Sequence, residues 1–184
     1  MNDGLIPRRY AKALYKLALE NGDSEQTYEM LKSFNFQDVA IDELKRTMIN
    51  PHVSDEEKQR LLRGIIGAKN DSSLDKFLLL VLRKNRADQL RLIALAYLDL
   101  YRQEHNISKV VITTAAQLPE PEIEAILDVV KKRMGDTTLE VYKETDPDLI
   151  GGFTIKIDDL LLDASVKNEL KQMRVELMKA NKTN

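Results

Sequence analysis

The sequence predicts an α+β protein, with an N-terminal six-helix bundle over residues 1–106 followed by a small C-terminal α/β domain over residues 107–184. Two observations carry that division. Apolar residues recur at helical spacing through the first hundred or so positions, interrupted only by short connections, as in an antiparallel bundle. After His105 the period is lost, and "KVVITTAAQL" at 109–118 is a β-branched run that reads as a strand.

The elements follow in order. Pro7 suits a first helical turn, the apolar period runs to Leu19, and "NGD" at 21–23 is a stop. A second helix is expected from Ser24 to about Phe34, and a third from about Val39 to Ile49, ending before Pro51 because proline disfavours helix in the residue ahead of it. "SDEEKQRLLRGII" opens with Ser54 and has Glu57 three residues on, a capping box that starts the fourth. "NDSSLDKFLLLVLRKN" and "RADQLRLIALAYLDLYRQEHN" supply the fifth and sixth. In the second domain, "PEPEIEAILDVVKKRMG" places Glu120, Glu122 and Glu124 early and Lys131, Lys132 and Arg133 late, the order that complements a helix dipole. "TTLEVYKET", "GFTIKI" and "LLLD" read as three further strands, with Asp158 and Asp159 as the two-residue turn between the last two. A final helix starts near Ser165, and its single stripe of Val166, Leu170, Met173 and Leu177 is expected to pack into the core.

Several function classes are disfavoured. The 28 basic and 30 acidic residues leave a net charge of -2, without the basic excess usual in nucleic-acid binders. There is no cysteine, so disulfides, thiolate metal sites and cysteine nucleophiles are absent. "FLLLVL" and "LIALAYL" fall far short of the ~20 apolar residues that span a bilayer, and the start lacks a signal-peptide core, so a soluble chain is expected. Gly151 and Gly152 run directly into a strand, whereas a phosphate loop needs glycines leading into a helix N-terminus with a lysine; the pair reads as a backbone device. His52 and His105 are far apart and lack ligand-type partners at i, i+4. No catalytic, metal or cofactor-binding constellation emerges.

Two helices are more apolar than one core face requires. In the first, apolar positions from Ile6 to Leu19 spread over roughly 240°, against the ~100° stripe of an ordinary amphipathic helix. In the fifth, Phe77 to Leu82 reach every side. These helices are either wrapped by their neighbours or form a groove for a partner's amphipathic helix.

"RRYAKALYKLA" near the start and "LIGGFTIKIDDLLLDASVKNELKQMRVEL" near the end resemble the delta subunit of bacterial F-type ATP synthases, a family that includes the mitochondrial oligomycin-sensitivity-conferring protein. The resemblance covers the whole chain, in order. One departure is Asp158, where the family commonly places glycine in the hairpin turn. The resemblance implies a non-catalytic stator subunit of the peripheral stalk, without cofactor. It implies that the N-terminal helix of a catalytic-head alpha subunit lies between the first and fifth helices, against Tyr10, Ala13, Leu14, Leu17, Phe77, Leu78 and Val81. The C-terminal domain would meet the C-terminal end of the b-type stalk, with Gly151, Gly152, Asp163 and Ser165 as its structural motif. Nucleic acid has no place in this reading, and the protein would reach the cytoplasmic face of the bacterial cell membrane only through the complex. Two rival classes make different demands: a helical RNA-associated adaptor needs a coherent basic face, and an enzyme needs convergent polar groups in a pocket.

Overall fold

The computed structural model describes residues 4–33, 47–48, 50 and 52–180. Except for Thr47 and Met48, the expected third helix lies outside the described residues, as do Phe34, Pro51 and the side chain of Leu177. The chain separates into two units, one ending at Glu104 and one beginning at His105. Up to Glu104 the described residues contain five of the six expected helices, with Thr47 and Met48 helical where the third is expected: α1 (Leu5–Glu20), α2 (Ser24–Ser33), α3 (Asp55–Ile66), α4 (Ser73–Arg83) and α5 (Leu90–Glu104). The second unit contains β1 (Ile107–Thr114), α6 (Glu120–Met134), β2 (Thr138–Thr145), β3 (Gly152–Ile157), β4 (Leu160–Ser165) and α7 (Val166–Ala180). The chain is therefore α+β, with a four-stranded mixed sheet.

The helical unit is built around α1 lying along α5. Ala11, Leu14, Tyr15 and Ala18 of α1 and Ile93, Ala94 and Tyr97 of α5 are all buried, and the alanines are small enough to let the two helices approach. Four tyrosines cluster in this core. Tyr28 stacks on Tyr101 with ring centroids 4.2 Å apart, and Tyr15 meets Tyr97 and Tyr101 edge-on. Tyr97 is fully buried, and its hydroxyl donates to the Ser24 carbonyl at 3.0 Å. Burial, then the neighbouring Tyr101 and Asp23, push its phenol well above the usual range.

Polar ties fix α4 against its neighbours. The Ser73 amide donates to Asp23 Oδ2 at 2.9 Å, and Asn21 Nδ2 donates to Ser73 Oγ at 2.8 Å, so the turn after α1 holds the first turn of α4. On the other side, the buried Asp75 carboxylate accepts from Gln59 Nε2 at 2.9 Å, from the Asp71 amide at 3.1 Å and from Arg63 at 3.4 Å, joining α4 to α3. α3 begins with the capping box read from the sequence: the Glu57 amide donates to Ser54 Oγ at 3.2 Å, and the Ser54 amide donates back to Glu57 Oε2 at 3.1 Å.

In the second unit the strand order is β2-β1-β3-β4. β1 and β2 are parallel, with Val110 opposite Val141, and α6 makes the crossover between them. β1 and β3 are antiparallel, with Ile112 opposite Ile155, and β3 and β4 form a hairpin. Val110, Ile112 and Ile155 from the sheet and Ile123 and Val130 from α6 make the core. Asp158 and Asp159 form the hairpin turn, with Asp158 in the left-handed region at φ 48°. Its side chain earns that position: Oδ1 accepts from the Lys109 amide at 3.1 Å, and its own amide donates to the Lys109 carbonyl at 3.0 Å. A glycine would turn as readily but would leave the Lys109 amide to water.

The glycine pair sits where the hairpin meets α7. Gly152 has φ +72°, and a Cβ there would overlap the Ala164 carbonyl oxygen of the paired strand. At Gly151 a Cβ would stand 3.0 Å from Val166 Cγ2, and the Gly151 carbonyl accepts from the Val166 amide at 3.0 Å. Asp163 Oδ1 accepts from the Ser165 amide, and Ser165 Oγ in turn accepts from the Asn168 amide at 3.2 Å, capping α7. These bonds from Ser165 hold the Asp163 carboxyl below its usual range.

The stripe on α7 does not enter the core. Leu170 is 52% exposed and Met173 57% exposed. α6 already covers the apolar face of the sheet, and the contacts of α7 concentrate on β4 and on the turn at Pro147–Leu149. Beyond its first turn, the described side chains of the helix are all exposed.

Candidate functional site

α4 is the helix the sequence counts as fifth, and it lies beside α1. The residues expected to line a groove between them divide into two layers. Leu14, Phe77, Leu78 and Val81 are each at most 2% exposed, held within the unit's own packing. Tyr10 and Leu17 are half-buried and Ala13 is exposed. With Ile6, also half-buried, they fall on one flank of α1 at spacing 6, 10, 13, 17, an arc of roughly 60° at 100° per residue. Tyr10 stands edge-on to Phe77, with ring centroids 6.2 Å apart, so the flank borders α4. On α4 the next residue outward from Phe77 is Leu80, 44% exposed. The surface available to another molecule is thus Ile6, Tyr10, Ala13 and Leu17 facing Leu80, above a floor that includes Phe77. Ile6 and Leu80 extend the set read from the sequence, and the signal for both is their helical position beside Tyr10 and Phe77.

The second unit has its own uncovered apolar surface. β4 is an edge strand, and Leu160, Leu161 and Leu162 on it are 72%, 66% and 52% exposed. Pairing opposite Ile157 and Ile155 puts Leu160 and Leu162 on the face that α6 covers further inside the sheet. Together with Leu170, Met173, Val175 and Met178 of α7, this places seven large apolar side chains in solvent within 19 positions, far more than isolated surface leucines require.

Among the described residues, the polar groups with a defined role act as caps, turns and packing ties. Among the described residues, no three histidine or carboxylate groups come together to hold a metal, and no helix is long and apolar enough to cross a membrane. Asp163 accepts from the Ser165 amide just ahead of α7, and Asp158 is a turn residue bonded to backbone.

Residues 6–177 match the family described as ATP synthase delta (OSCP) subunit. The chain belongs to that family. It is 35% identical over 181 residues to the ATP synthase subunit delta of Phocaeicola vulgatus, covering 97% of each chain. It is 33% identical over 178 residues to that of Parabacteroides distasonis, covering 97% of this chain and 98% of the relative. It is 31% identical over 179 residues to that of Bacillus cereus, covering 97% and 99%. A chain in the cryo-EM structure of the Toxoplasma gondii mitochondrial ATP synthase hexamer has the same fold, with a TM-score of 0.65 at 20% identity over 94% of this chain and 97% of that one. As a delta subunit, the chain is a non-catalytic part of the peripheral stalk of an F-type ATP synthase, and its working surfaces are contacts with other subunits.

Proposed function

We propose that the helical unit, residues 1–106, holds the catalytic head and that the C-terminal unit, residues 107–184, holds the stalk. The head's contribution is the N-terminal helix of an alpha subunit, laid along the α1–α4 flank. The stalk's contribution is the C-terminal end of the b-type subunits, laid on β4 and α7. The observation that carries the first half is the arc of Ile6, Tyr10, Ala13 and Leu17 facing Leu80, an apolar strip of helical length left open beside a packed floor. The second half rests on the uncovered leucines of β4 and α7. Bridging the two contacts lets the protein resist rotation of the head while the central rotor turns, at the cytoplasmic face of the cell membrane.

The test is reconstitution. Membranes stripped of the protein should lose ATP-driven proton pumping, while the detached head keeps its ATPase activity. Adding the protein back should restore pumping, and the Leu80→Asp form should do so only at higher concentration. Stripped membranes that pump normally would refute the reading.

A further inference from the structure

The α1–α4 flank has an electrical character that the total charge conceals. The chain is net -2, yet α1, α4 and the α4 cap Lys84 present seven exposed cations against one exposed carboxylate, Glu20. α1 supplies Arg8, Arg9, Lys12 and Lys16; α4 and its cap supply Lys76, Arg83 and Lys84. The remaining carboxylate on these helices, Asp75, is buried and turned toward Gln59 and Arg63.

Their placement matters more than their number. On α1, Glu20 at the end of the helix lies next outward from Ala13, with Arg9 and Lys16 just beyond it, so the solvent-side border of the apolar arc carries two cations and one carboxylate. On α4, Lys76 and Arg83 lie next outward from Leu80, bordering the strip from the other side. Lys76 is paired with the exposed Asp71 at 3.2 Å, while Arg9, Lys16 and Arg83 have no carboxylate partner among the described residues. The arrangement is an apolar strip between two rims of net positive charge, with Glu20 at one end of the α1 rim and the Lys76–Asp71 pair on the α4 rim.

We infer that the segment this groove takes is an amphipathic helix whose apolar stripe is flanked on both sides by carboxylates. The inference rests on the groove reading above and adds the chemistry of the occupant. A helix with neutral flanks would bury the same apolar area but leave the rims uncompensated. One with basic flanks would meet like charge along both edges, which is a means of rejecting wrong partners as well as of drawing in the right one. A nucleic acid would satisfy the cations but has no apolar stripe to cover Ile6, Ala13, Leu17 and Leu80. The rims are solvent-exposed, so they act on the rate of encounter and on specificity, and salt weakens them.

The test uses the full chain and three dye-labelled peptides of about 18 residues, a length of five helical turns. They share one leucine–alanine stripe and differ only in flanks of Glu, Gln or Lys. Fluorescence anisotropy at low salt should rank them Glu, then Gln, then Lys, with about tenfold between the first two, from three or four exposed pairs of modest strength each. The Glu advantage should collapse at ~0.3 M salt, within which the Debye length falls well below 10 Å. The triple variant Arg9→Glu, Lys16→Glu, Arg83→Glu replaces exposed groups only, keeps its helical circular dichroism, and should reverse the ranking. Equal binding of the Glu and Gln peptides would overturn the inference and leave the groove standing. Failure of all three peptides would overturn the groove itself. A single-stranded oligonucleotide of equal charge that binds more tightly than the Glu peptide would assign the surface to a different class of partner.

Discussion

The glycine pair yields the sharpest quantitative prediction, because two adjacent residues of one type should respond very differently to one change. Gly152→Ala forces an L-residue to keep φ near +72°, which costs roughly 1–2 kcal/mol. The added methyl also overlaps a backbone oxygen of β4, which cannot rotate away as a side chain could, and relieving such overpacking costs about 1–3 kcal/mol. The sum is about 2–5 kcal/mol. Gly151→Ala keeps an ordinary φ and meets only the end of the Val166 side chain at 3.0 Å, so it should fall within about 1 kcal/mol of the parent. Hydrogen exchange resolved over residues 152–165, with urea unfolding followed by circular dichroism, reads both. A cost near 3 kcal/mol raises the opening equilibrium of the hairpin by about a hundredfold. Because the pair also docks the start of α7, Gly152→Ala should weaken stalk binding while leaving head binding intact. Equal effects of the two substitutions would refute the reasoning.

Three further outcomes follow from the packing. Leu170→Ala should shift unfolding by no more than about 0.5 kcal/mol, since half the side chain is already in solvent, and Leu170→Asp should abolish stalk capture without lowering the melting temperature. Asp75→Ala should cost about 2–3 kcal/mol in chemical unfolding, because it strips a charged acceptor from Gln59, Arg63 and the Asp71 amide. The phenols of Tyr15, Tyr97 and Tyr101 are all raised in the folded state, chiefly by burial, so their contribution is complete below pH 10 and is lost as pH rises above it; urea midpoints should hold between pH 7 and 9 and fall beyond 10, and a midpoint unchanged at pH 11 would contradict this.

Local chemistry was legible in the sequence, and the destination of apolar surface was not. Ser54 and Glu57 announce the start of α3 because a capping box is made by residues three apart. Asp158 and Asp159 announce a hairpin turn because strand period changes on either side of them. Leu170 shows the limit: its spacing with Val166 and Met173 is that of a buried face, and periodicity reports that a stripe exists without saying whose surface will cover it. The α1–α4 flank shows the same limit in reverse. The wide arc of α1 pointed to this flank, but Leu14 and Phe77, which look as available as Tyr10 in sequence, are floor, and Leu80 on the rim is distinguished only once the direction of α4 is known. Net charge is silent on local surface for a similar reason: a sum over 184 residues averages away a mainly cationic surface on two neighbouring helices.

The tyrosine cluster has a consequence for how the chain is made. Tyr15 and Tyr28 lie near its beginning, while their ring partners Tyr97 and Tyr101 lie in the last helix of the unit. Emerging from the ribosome, the first helices have no lid for their most apolar sides until α5 has cleared the exit tunnel. The helical unit then closes in one step, while the strands that follow are still being synthesised. A message cut short before Tyr97 therefore yields helices with their apolar sides open, and one cut after Glu104 yields a closed helical unit without the strands that follow.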